Sequence, residues 1–214
     1  MSQSHIIFDL DGTLIDSAPS ILYAFEKVLH DFAYEPLKPL ESKIIGPPLR
    51  QTLREISGES DSKKLNRLVD AFKDRYDNST CTLSKVYPGI NQTLSALVNQ
   101  GKRLYIATNK RMIPTRKIVD HFSWNDLFQD IYAIDSANPA FQNKAHMIQS
   151  LMGDLGLQIK TCVYVGDRIE DAHAASENAI TFIYAQWGYG PKILDLNGCP
   201  GAKQPIDLVS IIKS

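Results

Sequence analysis

A chain of 214 residues in which 23 Lys and Arg stand against 24 Asp and Glu, for a formal net charge of -1, lacks the basic excess of a protein that binds nucleic acid or an anionic membrane surface. That length suffices for one large domain or for a core with a smaller insertion, and it buries a core without disulfide help. The cysteines (Cys81, Cys162, Cys199) are widely spaced, the histidines show no zinc spacing, and no apolar run approaches the ~18 residues of a membrane span, so a cytoplasmic protein without a leader peptide is expected.

The first element is a strand over His5–Leu10, β-branched and aromatic, whose apolar run stops at the carboxylate of Asp9. From Ser17 to about Ser84 no strand pattern follows. Instead Ile21, Leu22, Phe25, Val28, Leu29 and Phe32 repeat at helical spacing, then Leu49, Leu53 and Ile56, then Leu65, Leu68, Val69 and Phe72. Pro36, Pro39, Pro47 and Pro48 mark the joints. Such a helical stretch inside a strand–helix series predicts an inserted subdomain over 17–84, with hinges at Asp16–Pro19 and Val86–Gly89 and a core built from 1–16 and 85–214. Beyond it, helical periodicity over Ile90–Val98 precedes a strand at Arg103–Asn109. Further strands are predicted at Asp130–Asp135, Thr161–Asp167 and Thr181–Gln186, with a helix around Met147–Leu155. The strands are mostly continuous in apolar character, as suits strands covered on both faces. The alternation implies an α/β fold, a Rossmann-like parallel sheet with right-handed crossovers.

The run Asp9-Leu10-Asp11-Gly12-Thr13-Leu14-Ile15-Asp16 carries the chemistry. If strand geometry persists through it, Asp9 and Asp11 point to one side, and Gly12 then allows a tight turn. Carboxylates crowded in this way repel, and a hard divalent cation, magnesium where phosphate is involved, relieves that repulsion. An Asp-x-Asp pair alone is most often an acidic turn; the whole run after a strand is far more specific.

This run resembles the first motif of the haloacid dehalogenase superfamily, and three further segments match that family's pattern in order. Thr108 ends a strand in Ala107-Thr108-Asn109-Lys110; Lys144 begins a helix in Asn143-Lys144-Ala145-His146; Gly166-Asp167-Arg168-Ile169-Glu170-Asp171 follows the strand Cys162–Val165. The resemblance runs from about residue 5 to about 190. Relatives often carry Lys-Pro near the third motif, whereas this chain has Asn138-Pro139 with Lys144 further on, so Lys110 stays open as the alternative phosphate-stabilising lysine. The Arg168 form of the fourth motif, and Trp187-Gly188-Tyr189-Gly190, look like the phosphoglycolate-phosphatase-like branch.

The resemblance implies a magnesium-dependent phosphatase acting on a small-molecule phosphate ester. Asp9 is the nucleophile that becomes an aspartyl phosphate. Asp11 is the acid and base, and its presence argues against cleavage of carbon–halogen bonds. Thr108, Asn109 and Lys144 bind the phosphoryl oxygens. Asp9, Asp11 (through its backbone carbonyl) and Asp167 hold magnesium, with Asp171 ligating directly or through water. The helical insertion is a lid, and Arg50, in Gly46-Pro47-Pro48-Leu49-Arg50, is either a substrate contact or an exposed cap residue. Within the family a phosphosugar mutase of the β-phosphoglucomutase kind, a 5'-nucleotidase or a pyrophosphatase stays open. A phosphate-binding protein without activity is a fourth alternative, and a monomer or homodimer is expected.

Overall fold

The computed structural model describes residues 3–45, 47–191 and 198–212. In chain order its elements are β1 (His5–Phe8), β2 (Ile15–Asp16), α1 (Ala18–Asp31), α2 (Leu49–Ser57), α3 (Ser62–Arg75), β3 (Lys85–Val86), α4 (Ile90–Asn99), β4 (Arg103–Thr108), α5 (Met112–His121), β5 (Phe128–Ala133), α6 (Lys144–Asp154), β6 (Cys162–Gly166), α7 (Ile169–Glu177), β7 (Thr181–Ala185), β8 (Gly201–Ala202) and α8 (Leu208–Ile211). Two compact units divide the chain. One comprises Met1–Asp16 with Val86–Ser214, the other Ser17–Lys85.

The first unit is the parallel sheet that the strand–helix alternation predicts. Six strands run in the order β5-β4-β1-β6-β7-β8. β1 lies between β4 and β6, with Phe8 opposite both Ile106 and Val165. This register has a direct consequence. Asp9 follows Phe8, Thr108 lies two residues beyond Ile106, and Asp167 lies two residues beyond Val165, so all three leave the sheet at the same edge. The chain proceeds outward from β1 through β4 to β5, then crosses back to β6 on the other side. Reversals of this kind are where open α/β sheets leave a crevice beyond their strand ends.

Alternation of side chains sorts the core into two layers. Ile7, Tyr105, Ala107, Tyr164 and Phe182 pack with Met147, Ile148, Leu151, Ala172 and Ala175 of α6 and α7. Ile6, Phe8, Leu104 and Ile106 carry the opposite parity, and α4 and α8, which pack on each other, bury Leu94, Leu97 and Leu208. Tyr164 is wholly buried and its hydroxyl donates to the Ala107 carbonyl at 3.0 Å, so its polar end is satisfied.

The observed strands stop short of the predicted ones. β1 ends at Phe8 rather than Leu10, although Asp9 N still donates to the Val165 carbonyl at 2.9 Å, β4 ends at Thr108 and β6 at Gly166. The short strands β2, β3 and β8 and the helices α5 and α8 were not legible as periodic patterns.

The second unit is helical. α1 buries Ala24, Phe25, Val28 and Leu29, α2 buries Leu53 and Ile56, and α3 buries Leu65, Leu68 and Phe72. Phe72 sits at the centre, 4.5 Å from the Phe25 ring and 5.6 Å from Tyr76 between centroids. Asp61 caps α3 by accepting from the backbone of Lys63 and Lys64. β2 and β3, through which the chain enters and leaves this insertion, form a second, two-stranded sheet.

Ile106 is fully buried in β4, the strand next to β1. Replacing it with Ala should cost about 2–5 kcal/mol by loss of burial and creation of a cavity, read as a lower denaturation midpoint at unchanged slope in urea.

Candidate active site

Four strand ends and helix starts converge on one acidic cluster. Carboxylate oxygens of Asp9, Asp167 and Asp171 all lie within 4.8 Å of one another, and all three residues are buried. Lys144 is placed among them because Asn143 caps α6, its side chain accepting from His146 N at 2.8 Å, so that Lys144 is the first helical residue. Its Nζ lies 3.0 Å from Asp9 and donates to Asp171 Oδ1 at 2.5 Å, with 8% of its side chain exposed.

Asp171 serves two purposes at once. Its Oδ2 accepts from the backbone of Asp167 (3.1 Å) and of Arg168 (3.0 Å), closing the first turn of α7, while Oδ1 holds Lys144. Both of its oxygens are therefore engaged within the protein.

The two aspartates of the acidic run take different lysine partners. The Asp11 carboxylate is not part of the three-residue cluster. Its Oδ2 lies 3.0 Å from Lys110 Nζ, whose side chain is 6% exposed. Its Oδ1 is buried with no hydrogen-bond partner. Thr108 is buried at the end of β4 and its Oγ1 accepts from Lys110 N at 3.2 Å; Asn109 is exposed in the turn that follows.

The loop after β7 supplies residues whose roles the sequence did not announce. Tyr189 N donates to Asp167 Oδ2 at 2.7 Å, and the Thr13 hydroxyl donates to Oδ1 at 3.4 Å. Trp187 Nε1 donates to the Thr13 carbonyl, and the Tyr189 hydroxyl to Asp16, at 2.8 and 2.7 Å. These bonds tie the segment to the Asp9–Asp16 turn. Close approach explains its glycines: a Cβ on Gly188 would lie 2.3 Å from Asp167 Cβ and 2.4 Å from the Gly12 carbonyl, and one on Gly190 1.8 Å from the Asp167 carbonyl. Gly12 has φ +86°, and a Cβ there would meet Asp167 Oδ2 at 2.3 Å. The visible signal was a Gly-x-Gly just beyond a strand.

Electrostatics follow from burial. Burial pushes the Asp9 carboxyl up to about 7, against the opposing pull of Lys144 and with further repulsion from Asp171, Asp167 and Asp11. Burial likewise raises Asp167 to about 6, with Asp171 as the second cause. Burial works against a charged Lys144, yet Asp171 and Asp9 outweigh it and hold its ammonium well above the ordinary lysine range. Four carboxylates outnumber the ammonium groups of Lys110 and Lys144 and the Arg168 guanidinium that acts on Asp167. An all-oxygen donor set with that deficit fits one hard divalent cation.

In the helical unit, Arg50 is the second residue of α2, partly exposed, and donates a short hydrogen bond to Asn66 of α3. Gly46, the start of the suspected substrate loop, lies outside the described residues. Elsewhere in this unit Arg75 pairs with Asp31 at 2.5 Å, and Tyr76 is buried against Phe72.

A parallel α/β core with a helical insertion and a carboxylate–lysine cluster beyond its strand ends defines a hydrolase-type fold. Residues 6–185 match the haloacid dehalogenase-like hydrolase family, and the chain belongs to that family. It is 32% identical over 187 residues to a 5'-nucleotidase of Pseudomonas aeruginosa, a match that covers 87% of this chain and 84% of the relative. It is 31% identical over 185 residues to a phosphoglycolate phosphatase of Aquifex aeolicus, covering 86% and 85%. Among solved structures, a predicted phosphoglycolate phosphatase from Haemophilus somnus superposes with a TM-score of 0.86 at 26% identity, covering 99% of both chains.

The substitution Gly188→Ala should displace Asp167 while leaving the sheet intact. We expect the stabilisation of the protein by a divalent cation, measured as the shift in melting temperature, to fall to less than half of the wild-type value.

Proposed function

We propose that the protein is a magnesium-dependent phosphatase that hydrolyses a small-molecule phosphate monoester through an aspartyl phosphate on Asp9. The observation that carries this reading is the cluster itself: a buried carboxylate, Asp9, held 3.0 Å from a buried ammonium and within 4.8 Å of two further carboxylates. Asp9, Asp167 and the backbone carbonyl of Asp11 would hold the magnesium, with Asp171 behind a water molecule because both of its oxygens already accept hydrogen bonds. When bound, magnesium supplies the positive charge that neutralises the carboxylates and the phosphoryl group.

The chain's own groups divide the remaining work. Asp9 attacks phosphorus as the bond to the ester oxygen breaks. Asp11 gives a proton to the departing alcohol, then takes one from the water that releases phosphate from Asp9. Lys144 holds the phosphoryl oxygens against the acidic wall, and Thr108 and Asn109 position them at the end of β4. The helical unit acts as a lid that excludes bulk water and selects substrates of metabolite size, with Arg50 available for a second anionic group. Three free cysteines suit a reducing compartment, and we assign the protein to the cytoplasm. Among the described residues no helix is long and apolar enough to cross a membrane.

Phosphoglycolate is the substrate we favour, on the likeness to the Aquifex aeolicus enzyme and the Trp187–Gly190 segment. A nucleoside 5'-monophosphate is the second reading, favoured by the similarity to the Pseudomonas aeruginosa 5'-nucleotidase. A phosphometabolite panel on wild type and Arg50→Ala separates them. Arg50→Ala should lose about tenfold or more in kcat/KM on carboxylated substrates, as removal of a charge-assisted contact requires, and little on others. A uniform loss, or none, removes Arg50 from the substrate site. The variant Asp9→Asn should abolish turnover of every substrate; magnesium-dependent turnover that survives it ends the aspartyl-phosphate reading.

Proton linkage gives a further test. Asp9 and Asp167 titrate higher folded than unfolded. Their ionisation therefore burdens the metal-free fold progressively from about pH 4 to about pH 7, not at all below that window and fully above it. Below about pH 6 a cation must displace protons to bind. Saturating magnesium should raise the melting temperature by about 5–10 °C at pH 8 and by much less at pH 5. Equal shifts at the two pH values contradict a cation seated on these carboxylates.

A further inference from the structure

We propose that Tyr189 is a positioning residue for the cation: its hydroxyl, anchored on Asp16, fixes the backbone N–H that orients the Asp167 carboxylate. This rests on the reading that Asp167 holds the divalent ion. Asp167 is fully buried. The short hydrogen bond to its carboxylate comes from the backbone of Tyr189, at 2.7 Å to Oδ2, whereas the Thr13 hydroxyl reaches Oδ1 at 3.4 Å. The direction of that carboxylate therefore depends on where Tyr189 N points. Tyr189 stands between Gly188 and Gly190, and Asp167 atoms fill the space that a Cβ on either glycine would take. Glycine loses more backbone freedom on folding than any other residue. A donor flanked by two of them stays in place only if something else holds it.

The side chain of Tyr189 provides that hold. Its hydroxyl donates to Asp16 Oδ1 at 2.7 Å, a charge-assisted bond. The Arg168 guanidinium lies over its ring, 5.9 Å from the centroid. Anchors on either side limit the segment further. Before Gly188, Trp187 Nε1 donates to the Thr13 carbonyl at 2.8 Å; after Gly190, the Tyr184 hydroxyl donates to the Pro191 carbonyl at 2.6 Å. Among these anchors, the Asp16 bond alone acts on the residue whose N–H meets the Asp167 carboxylate. Asp16 thus gains a part in the site without belonging to the acidic cluster. It closes a relay from the end of the Asp9–Asp16 run, through the Tyr189 side chain and backbone, to Asp167. Partners that orient a metal-binding carboxylate carry a measurable share of affinity, and losing one costs about 10–100-fold. A tyrosine that only packs the loop leaves metal affinity unchanged.

Metal affinity, measured without substrate, separates the two roles. Manganese(II) is the probe, its free ion counted by electron paramagnetic resonance. We expect Tyr189→Phe, which removes only the hydroxyl, to weaken manganese binding about tenfold or more. Asp16→Ala should do the same, and the two together should cost no more than the larger single loss. Asp16→Asn keeps an oxygen that accepts the hydroxyl and should stay within about threefold of wild type. Tyr132→Phe is the control for lost stability: it removes another 2.7 Å bond from a tyrosine hydroxyl, to Asp154, and should leave manganese binding unchanged. Circular dichroism and the metal-free melting temperature verify that each variant is folded. If Tyr189→Phe is not, Asp16→Ala against Asp16→Asn decides. If Asp167→Asn abolishes manganese binding and Tyr189→Phe stays within about threefold of wild type, Tyr189 only packs and the proposal falls. It also falls if Asp16→Asn loses as much as Asp16→Ala, because Asp16 then acts through its charge. If Asp167→Asn itself binds manganese like wild type, the cation does not sit on Asp167, and that reading falls together with this inference.

Discussion

Repulsion among buried carboxylates is the constraint around which this site is organised. Asp9, Asp167 and Asp171 lie within 4.8 Å of one another away from solvent, where like charges interact far more strongly than at a surface. The fold tolerates this because each carboxylate has donors assigned to it. Lys144 bridges Asp9 and Asp171, the first turn of α7 holds Asp171, and the backbone of Tyr189 with the hydroxyl of Thr13 holds Asp167. The carboxylates nonetheless outnumber the cations around them, Lys110, Lys144 and Arg168. That excess of negative charge suits the pocket to a cation.

Steric fit accompanies the electrostatics. Asp167 is enclosed by Gly12, Gly188 and Gly190, none of which leaves room for a side chain. The segment after β7 thus performs structural work on a carboxylate more than twenty positions earlier and on a turn near the start of the chain. A site assembled from such tight backbone contacts keeps its geometry without relying on long side chains, whose conformational entropy would oppose it.

Much of this was legible in the sequence, for identifiable reasons. β1, β4, β6 and β7 are short, apolar runs that end at polar residues, and a parallel sheet buried on both faces leaves that signature. α1, α2 and α3 each show helical spacing of apolar residues without strand signals between them. The acidic run at Asp9–Asp16 and the Gly166–Asp171 segment were visible because residue type and strand end coincide. What escaped were contacts that depend on tertiary approach. The pairing of Asp11 with Lys110 cannot be read from spacing, since nothing local distinguishes that lysine from any other after a strand. That Asp9 and Asp11 take separate lysine partners is likewise a tertiary fact that strand periodicity does not specify. The roles of Trp187 and Tyr189 depend on partners some 170 positions away, although their glycine neighbours hinted at a close approach.

The central placement of β1 has a consequence for how the molecule comes into being. Its partners on either side are residues 103–106 and 162–165, so both edges of the strand that leads to Asp9 are completed by chain made long afterwards. During synthesis, His5–Phe8 must wait without ladder partners, a tetrapeptide of one histidine and three large apolar residues with open backbone groups on both sides. Long-range pairing of this sort is slow and leaves strand edges open to association with other chains. The nascent polypeptide is therefore vulnerable to aggregation at the segment its chemistry needs most, and that vulnerability ends only when β6 has been made and docks.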